Sequence, residues 1–357
     1  MGTNWEQADV LKSPMQICWQ FDYEIHLDKL KNLYTKSKKM MWDSDVDIDW
    51  SLEIDPSKPL VGGDQLEFEK IPVLAKLSTS QKELFTAEST AHLLSQFLHG
   101  EQGALMTAAA LTHAVPDYEG KLYAAAQTMD EARHVEVYDR YIKKLANVYP
   151  ISPWLKETID ATLQADHWVK IAIGMNMVVE GLALAAFHNM RKDTTCDLLR
   201  QITENVLRDE SRHVAFGNVY VGEAIREMHP DEQEDIAQFS FDVIKMMSDS
   251  MGGVDGTGAR TPDPGFLTVL DKVGIDLEDF IKSLIEMGAA GIDAATPPDR
   301  LHSFKDLMMP ALVRVGAITD RSRELYKEAG IPVWDDLTIL ESMEDVETGV
   351  SDFDSIA

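Results

Sequence analysis

The pentapeptide Asp-Glu-x-Arg-His occurs twice in this chain of 357 residues, as DEARH and as DESRH, 79 residues apart. Each copy follows a lone glutamate at the same spacing, because Glu101 stands 30 residues before Glu131 and Glu180 stands 30 residues before Glu210. The flanking sequence is rich in Ala, Leu, Met and Glu, with prolines only at breaks, which is typical of long α-helices. The repeat therefore predicts two helical hairpins that face each other across an approximate two-fold axis.

Each pentapeptide places a carboxylate and an imidazole where they can bind one metal ion together. On an α-helix, positions i and i+3 lie about 60° apart on one face. Four carboxylates and two imidazoles form the ligand set of dinuclear iron or manganese bundles, and imidazole suits Fe(II) while leaving positions for O2. The alternative is a purely structural network of salt bridges. We predict these metal ligands: Glu101, Glu131, His134, Glu180, Glu210 and His213.

The lone glutamates stand in apolar surroundings. Glu180 lies within GMNMVVEGLALAAF, and GALMTAAAL follows shortly after Glu101. A buried carboxylate is costly unless it is paired or bound to metal. Pairing with Arg or Lys would account for one of these glutamates, but poorly for both at matching positions of the repeat.

The remaining charged residues of the pentapeptides are predicted to support the ligands. If the hairpins face each other, Asp130 can accept a hydrogen bond from the non-ligating nitrogen of His213, and Asp209 can do the same for His134. Such carboxylates fix the tautomer and orientation of a ligating imidazole. Arg133 and Arg212 would pair with these aspartates or with neighbouring carboxylates.

Composition narrows the class of protein. The hydrophobic content of 45% is sufficient for a sizeable core, and the net charge of −28 argues against binding to nucleic acid or anionic membranes. Cys18 and Cys196 are too few for a disulfide framework. The N-terminus lacks the pattern of a signal peptide, and Asn176 and Glu180 interrupt the longest apolar run before it reaches the ~18 residues of a membrane span. These features predict a cytoplasmic protein.

The helical pattern divides the chain into four parts. We expect an N-terminal extension over 1–75, the di-metal bundle over 76–228, additional helices of the same domain over 229–330 and an acidic tail over 331–357. A glycine-rich loop at 252–265 is a candidate gate. The predicted helices are 25–40, 78–114, 120–147, 159–191, 194–226, 231–251, 265–273, 277–290 and 298–328.

These motifs resemble the ferritin-like superfamily, specifically its ribonucleotide-reductase-like branch of di-iron carboxylate enzymes. The resemblance is specific over about residues 85–220 and weaker at LYTKSKKMMWDSDVDIDW (33–50). It implies an all-α fold, with a ferritin-like four-helix bundle core and additional N- and C-terminal helices. It also implies the same six ligands, two Fe ions or an Mn/Fe pair, and O2 as a reactant. The branch includes reductase small subunits, monooxygenase hydroxylases, acyl-carrier-protein desaturases and arylamine N-oxygenases.

The sequence departs from each of these subfamilies. Reductase small subunits usually have Asp as the first ligand and a longer separation than the 46 residues between His134 and Glu180, although Tyr138 matches their radical-tyrosine position. Arylamine N-oxygenases carry a third histidine where this chain has Val206. The hydroxylases usually carry threonine where this chain has Leu184.

Residues that share helix faces with the predicted ligands are candidates for a substrate pocket, or else for ordinary core packing. Gly103 and Gly181 would leave room near the metals or allow close helix crossings, and His188 is a candidate for a substrate channel. Gln127 and Thr128 would be polar neighbours of Glu131. The full candidate set is Phe97, Ala104, Leu105, Ala108, Gln127, Thr128, Tyr138, Met177, Gly181 and Leu184.

The expected function is that of an O2-activating non-haem di-iron oxidoreductase acting on a small organic substrate. The reaction is open among hydroxylation, N-oxygenation, desaturation and oxidative cleavage. No nicotinamide or flavin motif is visible, so electrons would come from a donor protein or from the substrate. The alternatives are a radical-generating reductase-like subunit and an iron storage or oxidation protein. We expect a homodimer, because exposed helix faces in such bundles often pair.

Overall fold

All regular elements in the described part of the protein are helices, which confirms the predicted all-α fold class. The computed structural model describes residues 8–58, 60–61, 70–251, 263–289 and 300–342. The helices are α1 (Asp28–Lys39), α2 (Pro72–Ala75), α3 (Thr79–Ala114), α4 (Tyr118–Leu145), α5 (Pro153–Leu163), α6 (Trp168–Asp193), α7 (197–227), α8 (Pro230–Met251), α9 (Pro264–Val273), α10 (Leu277–Ala289), α11 (303–315), α12 (Asp320–Glu328) and α13 (Thr338–Ser342).

Three of these helices contain a π-helical stretch, in which the backbone turn is wider than in an α-helix. In α6 the stretch is Ile173–Val179, directly before Glu180. In α7 it is Gly217–Val221, one turn after His213, and in α11 it is Ser303–Met308. The stretches in α6 and α7 therefore adjoin the predicted metal ligands.

Helices α3 and α4 form one hairpin and α6 and α7 form the other, as the repeat predicts. Ser78 begins α3 with a capping box, because its hydroxyl accepts a hydrogen bond from the backbone of Gln81 while the Gln81 side chain reaches back to the Ser78 backbone. The turn between α3 and α4 contains only residues 115–117, so the two helices run antiparallel. These connections bring the two pentapeptides into one four-helix core.

The N- and C-terminal helices pack on this core. Leu30 and Leu33 of α1 share a cluster of buried apolar side chains with Tyr123 of α4 and Phe216 of α7. A second cluster joins residues of the N-terminal extension, α3, α4, α7 and α9, including Trp42, Leu74, Leu94, Val137, Leu198 and Val269. The extension and the later helices thus complete the burial of the bundle.

Two predicted helix boundaries are wrong. The helix predicted over 159–191 is two helices, since α5 begins at Pro153 and ends at Leu163, and a turn precedes α6. Proline has a preset φ suited to the first turn of a helix, so Pro153 starts α5 rather than marking a break. The helix predicted over 298–328 is interrupted by Gly316, whose φ of 85° ends α11 before α12 begins.

The glycine-rich loop predicted as a gate lies mostly outside the described residues, as does most of the acidic tail. Helix α6 corrects another expectation, because by length and composition it is apolar enough to cross a membrane despite Asn176 and Glu180. Most of the apolar stretch of this helix is buried inside the fold, as in the core helix of a globular protein.

Candidate metal centre

The six predicted ligands converge between the two hairpins, and none of their side chains is more than slightly exposed. Four of them form the His134 group, which we define as Glu101, Glu131, His134 and Glu210. Three form the His213 group, which we define as Glu131, Glu180 and His213. Within each group, one ligand atom from every residue lies within 4.8 Å of the others. Glu131 belongs to both groups, so its carboxylate lies where it can bridge two ions.

Both histidines direct the same ring nitrogen toward the carboxylates. Nδ1 of His134 lies 3.1 Å from Glu101 Oε2 and 3.2 Å from both Glu131 Oε2 and Glu210 Oε1. Nδ1 of His213 lies 3.0 Å from Glu131 Oε1 and 3.6 Å from Glu210 Oε1. Nδ1 is therefore the nitrogen available to a metal ion in each half of the site.

The other ring nitrogens face the two aspartates that precede the ligating glutamates. Nε2 of His134 lies 3.1 Å from Asp209 Oδ2, and Nε2 of His213 lies 3.4 Å from Asp130 Oδ2. These are the crossed partners expected from the sequence. Since each aspartate is buried and faces the imidazole from the opposite hairpin, it can hold a proton on Nε2 and leave Nδ1 free to ligate.

The two arginines of the pentapeptides link these aspartates. Arg133 and Arg212 each contact Asp130 and Asp209, with the longer contact of each arginine at 3.2 Å. Two buried guanidinium groups thus balance two buried carboxylates, which limits the cost of burying either pair of charges.

Trp42 contacts Asp209, and the sequence did not predict this contact. Its indole Nε1 donates a hydrogen bond of 2.8 Å to Asp209 Oδ2, and its ring stacks near that of His134 with centroids 6.4 Å apart. The guanidinium of Arg133 lies 5.2 Å from the centroid of the Trp42 ring. The only signal for this contact was the resemblance of residues 33–50, which did not single out the tryptophan.

Burial and mutual charge shift the ionisation of the ligands. Burial and the charge of Glu210 raise the pKa of both Glu101 and Glu180 well above the usual range. Burial opposes ionisation of Glu131, but the neighbouring His213 and His134 lower its pKa. Burial likewise opposes protonation of His134, yet Glu101 and Asp209 raise its pKa. The buried carboxylates thus outnumber the cations beside them, and the site favours a positively charged occupant.

The donor set fits two divalent metal ions. Both carboxylate oxygens of Glu210 and Nδ1 of His213 are buried and make no hydrogen bond of normal geometry among the described residues, although charged partners lie within 3.2 Å of Glu210 Oε1 and of His213 Nδ1. Buried polar atoms normally have hydrogen-bond partners, so donor atoms without one, gathered in a cluster of carboxylates and imidazoles, fit a site for metal cations. Carboxylate oxygen with imidazole nitrogen suits Fe(II) and Mn(II).

An amide pair that the sequence analysis named only in part supports Glu180. Gln127 Nε2 donates hydrogen bonds to Glu180 Oε1 at 2.8 Å and to Glu131 Oε1 at 3.1 Å. Asn176, missed from the sequence, donates through Nδ2 to Glu180 Oε2 at 3.0 Å and to Gln127 Oε1 at 3.1 Å. Thr128 differs from the expectation, because its hydroxyl donates to Ala124 of its own helix rather than to a ligand.

Several of the candidate pocket residues are distributed over three apolar clusters. Tyr138 and Leu184, with Phe97 against them, belong to one apolar cluster, Ala104 belongs to a small cluster, and Met177 belongs to a third. Leu105 is half-buried, while Ala108 and Gly181 are buried. A Cβ on Gly103 would lie 2.7 Å from Ile159, so this glycine allows a close helix crossing rather than space beside the metals.

Tyr138 stands in an aromatic cluster near the His134 group. Its ring stacks on Phe187 with centroids 6.0 Å apart and lies 6.2 Å from that of Phe97. Burial and the charge of Glu101 hold the pKa of Tyr138 well above its usual range. His188, the candidate for a substrate channel, is buried, and its pKa is lowered to about 4 by burial and by nearby cations.

Two comparisons with known proteins found matches to this chain. The family model described as P-aminobenzoate N-oxygenase AurF matches residues 26–257. Solved R2-like ligand-binding oxidases with a reconstituted Mn/Fe cofactor are similar in structure. One aerobically reconstituted variant has a TM-score of 0.47 and 18% identity, and covers 84% of this chain and 95% of its own. An anaerobically reconstituted one has a TM-score of 0.46 and 19% identity, with 75% and 93% covered. Among curated proteins, no relative matches the chain.

Proposed function

Because the chain belongs to the P-aminobenzoate N-oxygenase AurF family, whose model matches more than half of its length, we propose that it oxygenates the nitrogen of a small amine. Membership makes the protein an enzyme of the di-iron oxygenase/oxidase class that acts on a small substrate. Among the reactions left open by the sequence, N-oxygenation is the one for which the family is named.

The ligand assignment is part of this proposal. One ion would be held by the His134 group and the other by the His213 group, with Glu131 between them. The observation that carries it is that both buried oxygens of Glu210 lack a hydrogen bond of normal geometry and lie beside two Nδ1 atoms that both face the carboxylates. When bound, the two ions supply the redox chemistry that activates O2.

The protein side chains then have three tasks. Asp130 and Asp209 hold protons on the Nε2 atoms and so keep the imidazoles in the ligating tautomer. The surrounding apolar clusters exclude bulk water, which strengthens the electrostatic interactions within the site. The buried arginines form ion pairs with both aspartates and so hold them in place.

Val206 distinguishes this site from that of arylamine N-oxygenases with a third histidine. It lies one turn before Glu210, is fully buried and belongs to the same apolar cluster as Tyr138 and Leu184. An apolar side chain cannot ligate, so the proposed site has two imidazoles and four carboxylates. An ion at the His213 group would be held by three side chains, Glu131, Glu180 and His213, so the chain would supply fewer donors there than at the His134 group.

The overall reaction defines what else the enzyme requires. Conversion of an amine to a hydroxylamine inserts one atom of O2 and reduces the other to water, which consumes two electrons and two protons. A separate electron-donor protein would supply these electrons. We also propose a homodimer in the cytoplasm, where both cysteines, free in this structure, would stay reduced.

The test is anaerobic loading with Fe(II), followed by exposure to O2 with a chemical reductant and a panel of aromatic and aliphatic amines that includes p-aminobenzoate. We expect two irons per chain and hydroxylamine products that carry label from ¹⁸O2. Glu136→Gln is a matched control, because Glu136 lies on α4 outside both groups and bonds to Ser44. Two irons with oxygenation of carbon alone would overturn N-oxygenation, whereas failure to bind two irons would overturn the ligand assignment.

A further inference from the structure

Glu180 is the only predicted ligand of the described site with both carboxylate oxygens held by side-chain amides. Gln127 Nε2 lies 2.8 Å from Oε1, and Asn176 Nδ2 lies 3.0 Å from Oε2. The two amides are themselves joined, since Asn176 Nδ2 also donates to Gln127 Oε1 at 3.1 Å. This three-residue chain spans α4 and α6, so it fixes the carboxylate from both hairpins.

The surroundings permit only one orientation of the Asn176 amide. Its Nδ2 faces three acceptors, namely Glu180 Oε2, Gln127 Oε1 and, at 3.4 Å, the carbonyl oxygen of His213. A flipped amide would set its own oxygen against these three oxygens, which would be repulsive. The pair is therefore directional: Asn176 donates to Gln127, and both donate to the carboxylate.

The π-helical stretch of α6 gives this contact its backbone setting. The N–H of Glu180 bonds to the carbonyl of Met175, five residues earlier, so the wide turn ends at the ligand itself. Asn176 lies inside that turn and against Gly217, where an added Cβ would lie 3.0 Å from Asn176 Cβ. A side chain at Gly217 would thus displace Asn176, and the two π-helical stretches fit together at the amide pair.

The corresponding ligand of the first hairpin has no such support. The side-chain hydrogen bond recorded for Glu101 among the described residues is the 3.1 Å contact to His134, itself a predicted ligand. Helix α3 is an uninterrupted α-helix at Glu101. The orientation of Glu101 therefore depends on the metal and on His134, whereas that of Glu180 is set in advance.

We propose that Gln127 and Asn176 are positioning residues that hold Glu180 in its ligating orientation and so set the affinity of the His213 group for its ion, with a smaller effect on the His134 group through the hydrogen bond from Gln127 to the shared Glu131. This proposal rests on the ligand assignment made above. Replacement of a residue that hydrogen-bonds to a metal ligand typically lowers the metal affinity by about 10–100-fold. We expect an effect of that size on one of the two binding steps.

The experiment is an anaerobic titration of the metal-free full-length protein with Mn(II), followed by electron paramagnetic resonance. This measurement separates free Mn(II), a single bound ion and a coupled pair of ions. Gln127→Met and Asn176→Leu remove the amides with little change in volume and act from different helices. Glu101→Gln perturbs the His134 group for comparison. Thr112→Val is the matched control, since it removes a hydroxyl bonded to its own helix at Ala108.

The wild type and Thr112→Val should bind two Mn(II) per chain and give the spectrum of a coupled pair. Either amide variant should lower one of the two affinities by about 10–100-fold, so that the single-ion signal persists over that range of Mn(II) concentration. Glu101→Gln should lower the other affinity. Circular dichroism melting of the metal-free variants checks folding, and one folded variant of the two is sufficient.

The outcomes are distinguishable. If a folded amide variant binds both ions as tightly as the wild type, or if Asn176→Leu, which leaves Glu131 untouched, lowers both affinities equally, the positioning role is overturned. If the wild type itself does not bind two ions, the ligand assignment fails and not the amide pair alone.

Discussion

The hairpin of α3 and α4 and the hairpin of α6 and α7 present matching ligands, but their surroundings differ. In the first hairpin, α3 and α4 are uninterrupted α-helices, and His134 faces Asp209 of the other hairpin, which accepts a hydrogen bond from Trp42. In the second, an amide pair holds Glu180, and both helices contain π-helical stretches. The internal repeat therefore includes the ligands and their aspartates, but not the other residues that contact them.

This difference implies that the two ion positions are not equivalent. The His134 group offers three carboxylates and one imidazole, whereas the His213 group offers two carboxylates and one imidazole. More negative charge favours tighter binding of a divalent cation, and fewer protein ligands leave more positions for O2 or substrate. Under the proposed assignment, the His134 group would retain its ion more tightly, and the His213 group would leave its ion more open to reactants.

The largest expected effect comes from the ligand shared by the two groups. Glu131→Gln should lower the activity by at least about 100-fold and should lower the content of both metal ions. This loss is larger than the one expected when a residue that only hydrogen-bonds to a metal ligand is replaced. Glu180→Gln should lower the metal content of the His213 group only. Metal analysis after desalting and O2 consumption measure the two effects. Loss of a single ion in Glu131→Gln would mean that Glu131 does not bridge.

The same pair of variants should differ in the stability of the metal-free protein. Burial and Glu210 already raise the pKa of Glu180, so loss of its charge in Glu180→Gln should cost little. The main cost should come from the new NH2 group, which faces the amide donor of Gln127 or of Asn176, and Glu180→Gln should therefore destabilise the fold less than Glu131→Gln does. The pKa of Glu131 is lowered by His213 and His134 despite burial, so Glu131→Gln removes a favourable interaction and should lower the melting temperature. Equal melting temperatures would contradict this contrast.

The next effect concerns the two aspartates behind the imidazoles. Asp209→Asn should reduce metal affinity at the His134 group by about 10–100-fold, because the amide can no longer hold the ligating tautomer with the same strength. Asp130→Asn should act at the His213 group and more weakly, since its contact to the imidazole is 3.4 Å rather than 3.1 Å. Mn(II) titration of both variants measures the difference. A larger loss of metal affinity in Asp130→Asn than in Asp209→Asn would contradict this prediction.

Trp42 provides a smaller test of the asymmetry. Trp42→Phe keeps an aromatic ring but removes the hydrogen bond to the buried Asp209 carboxylate, which should destabilise the metal-free protein by about 1.5–3 kcal/mol. Trp50→Phe is the control, because its indole donates to a backbone carbonyl, of Ser44, and loss of that neutral bond should cost about 0.5–1.5 kcal/mol. Urea unfolding measures both, and equal losses would show that the charge on Asp209 contributes nothing.

The sequence predicts that the candidate ligands converge, because much of their spacing is local. Glu-x-x-His places two side chains on one helix face whatever the rest of the fold does, and the repeat then predicts that the two pairs meet. The aspartates follow from the same argument, since each precedes a ligand by one residue. Helices α3, α4, α8 and α9 were predicted within a few residues for the same reason.

The contacts that the sequence does not predict are long-range or lack a pattern. Trp42 is 167 residues from Asp209, and only the packing of the N-terminal extension brings them together. Asn176 was interpreted as a polar interruption of an apolar run, because no sequence pattern indicates the π-helical stretch that contains it. The start of α5 at Pro153 and the break at Gly316 depend on a single residue each, which periodicity does not resolve.

The smallest expected effect concerns two buried tyrosines, one beside each half of the site. Tyr138 lies near the His134 group and Tyr123 near His213, and neither hydroxyl has a hydrogen-bond partner among the described residues. Replacing either with Phe removes a buried, unsatisfied polar group and should stabilise the metal-free protein by up to about 1 kcal/mol. Urea unfolding of the two variants measures this gain.

Activity of the same variants decides whether Tyr138 has a redox role. Burial raises the pKa of both phenols, so each is neutral, and an oxygenase that does not store a radical requires neither hydroxyl. We therefore expect unchanged turnover in Tyr138→Phe and in Tyr123→Phe, and no stable tyrosyl signal in the wild type after O2 exposure. A stable radical signal lost only in Tyr138→Phe, together with lost turnover, would instead support the radical-generating alternative and would add a third difference between the two hairpins.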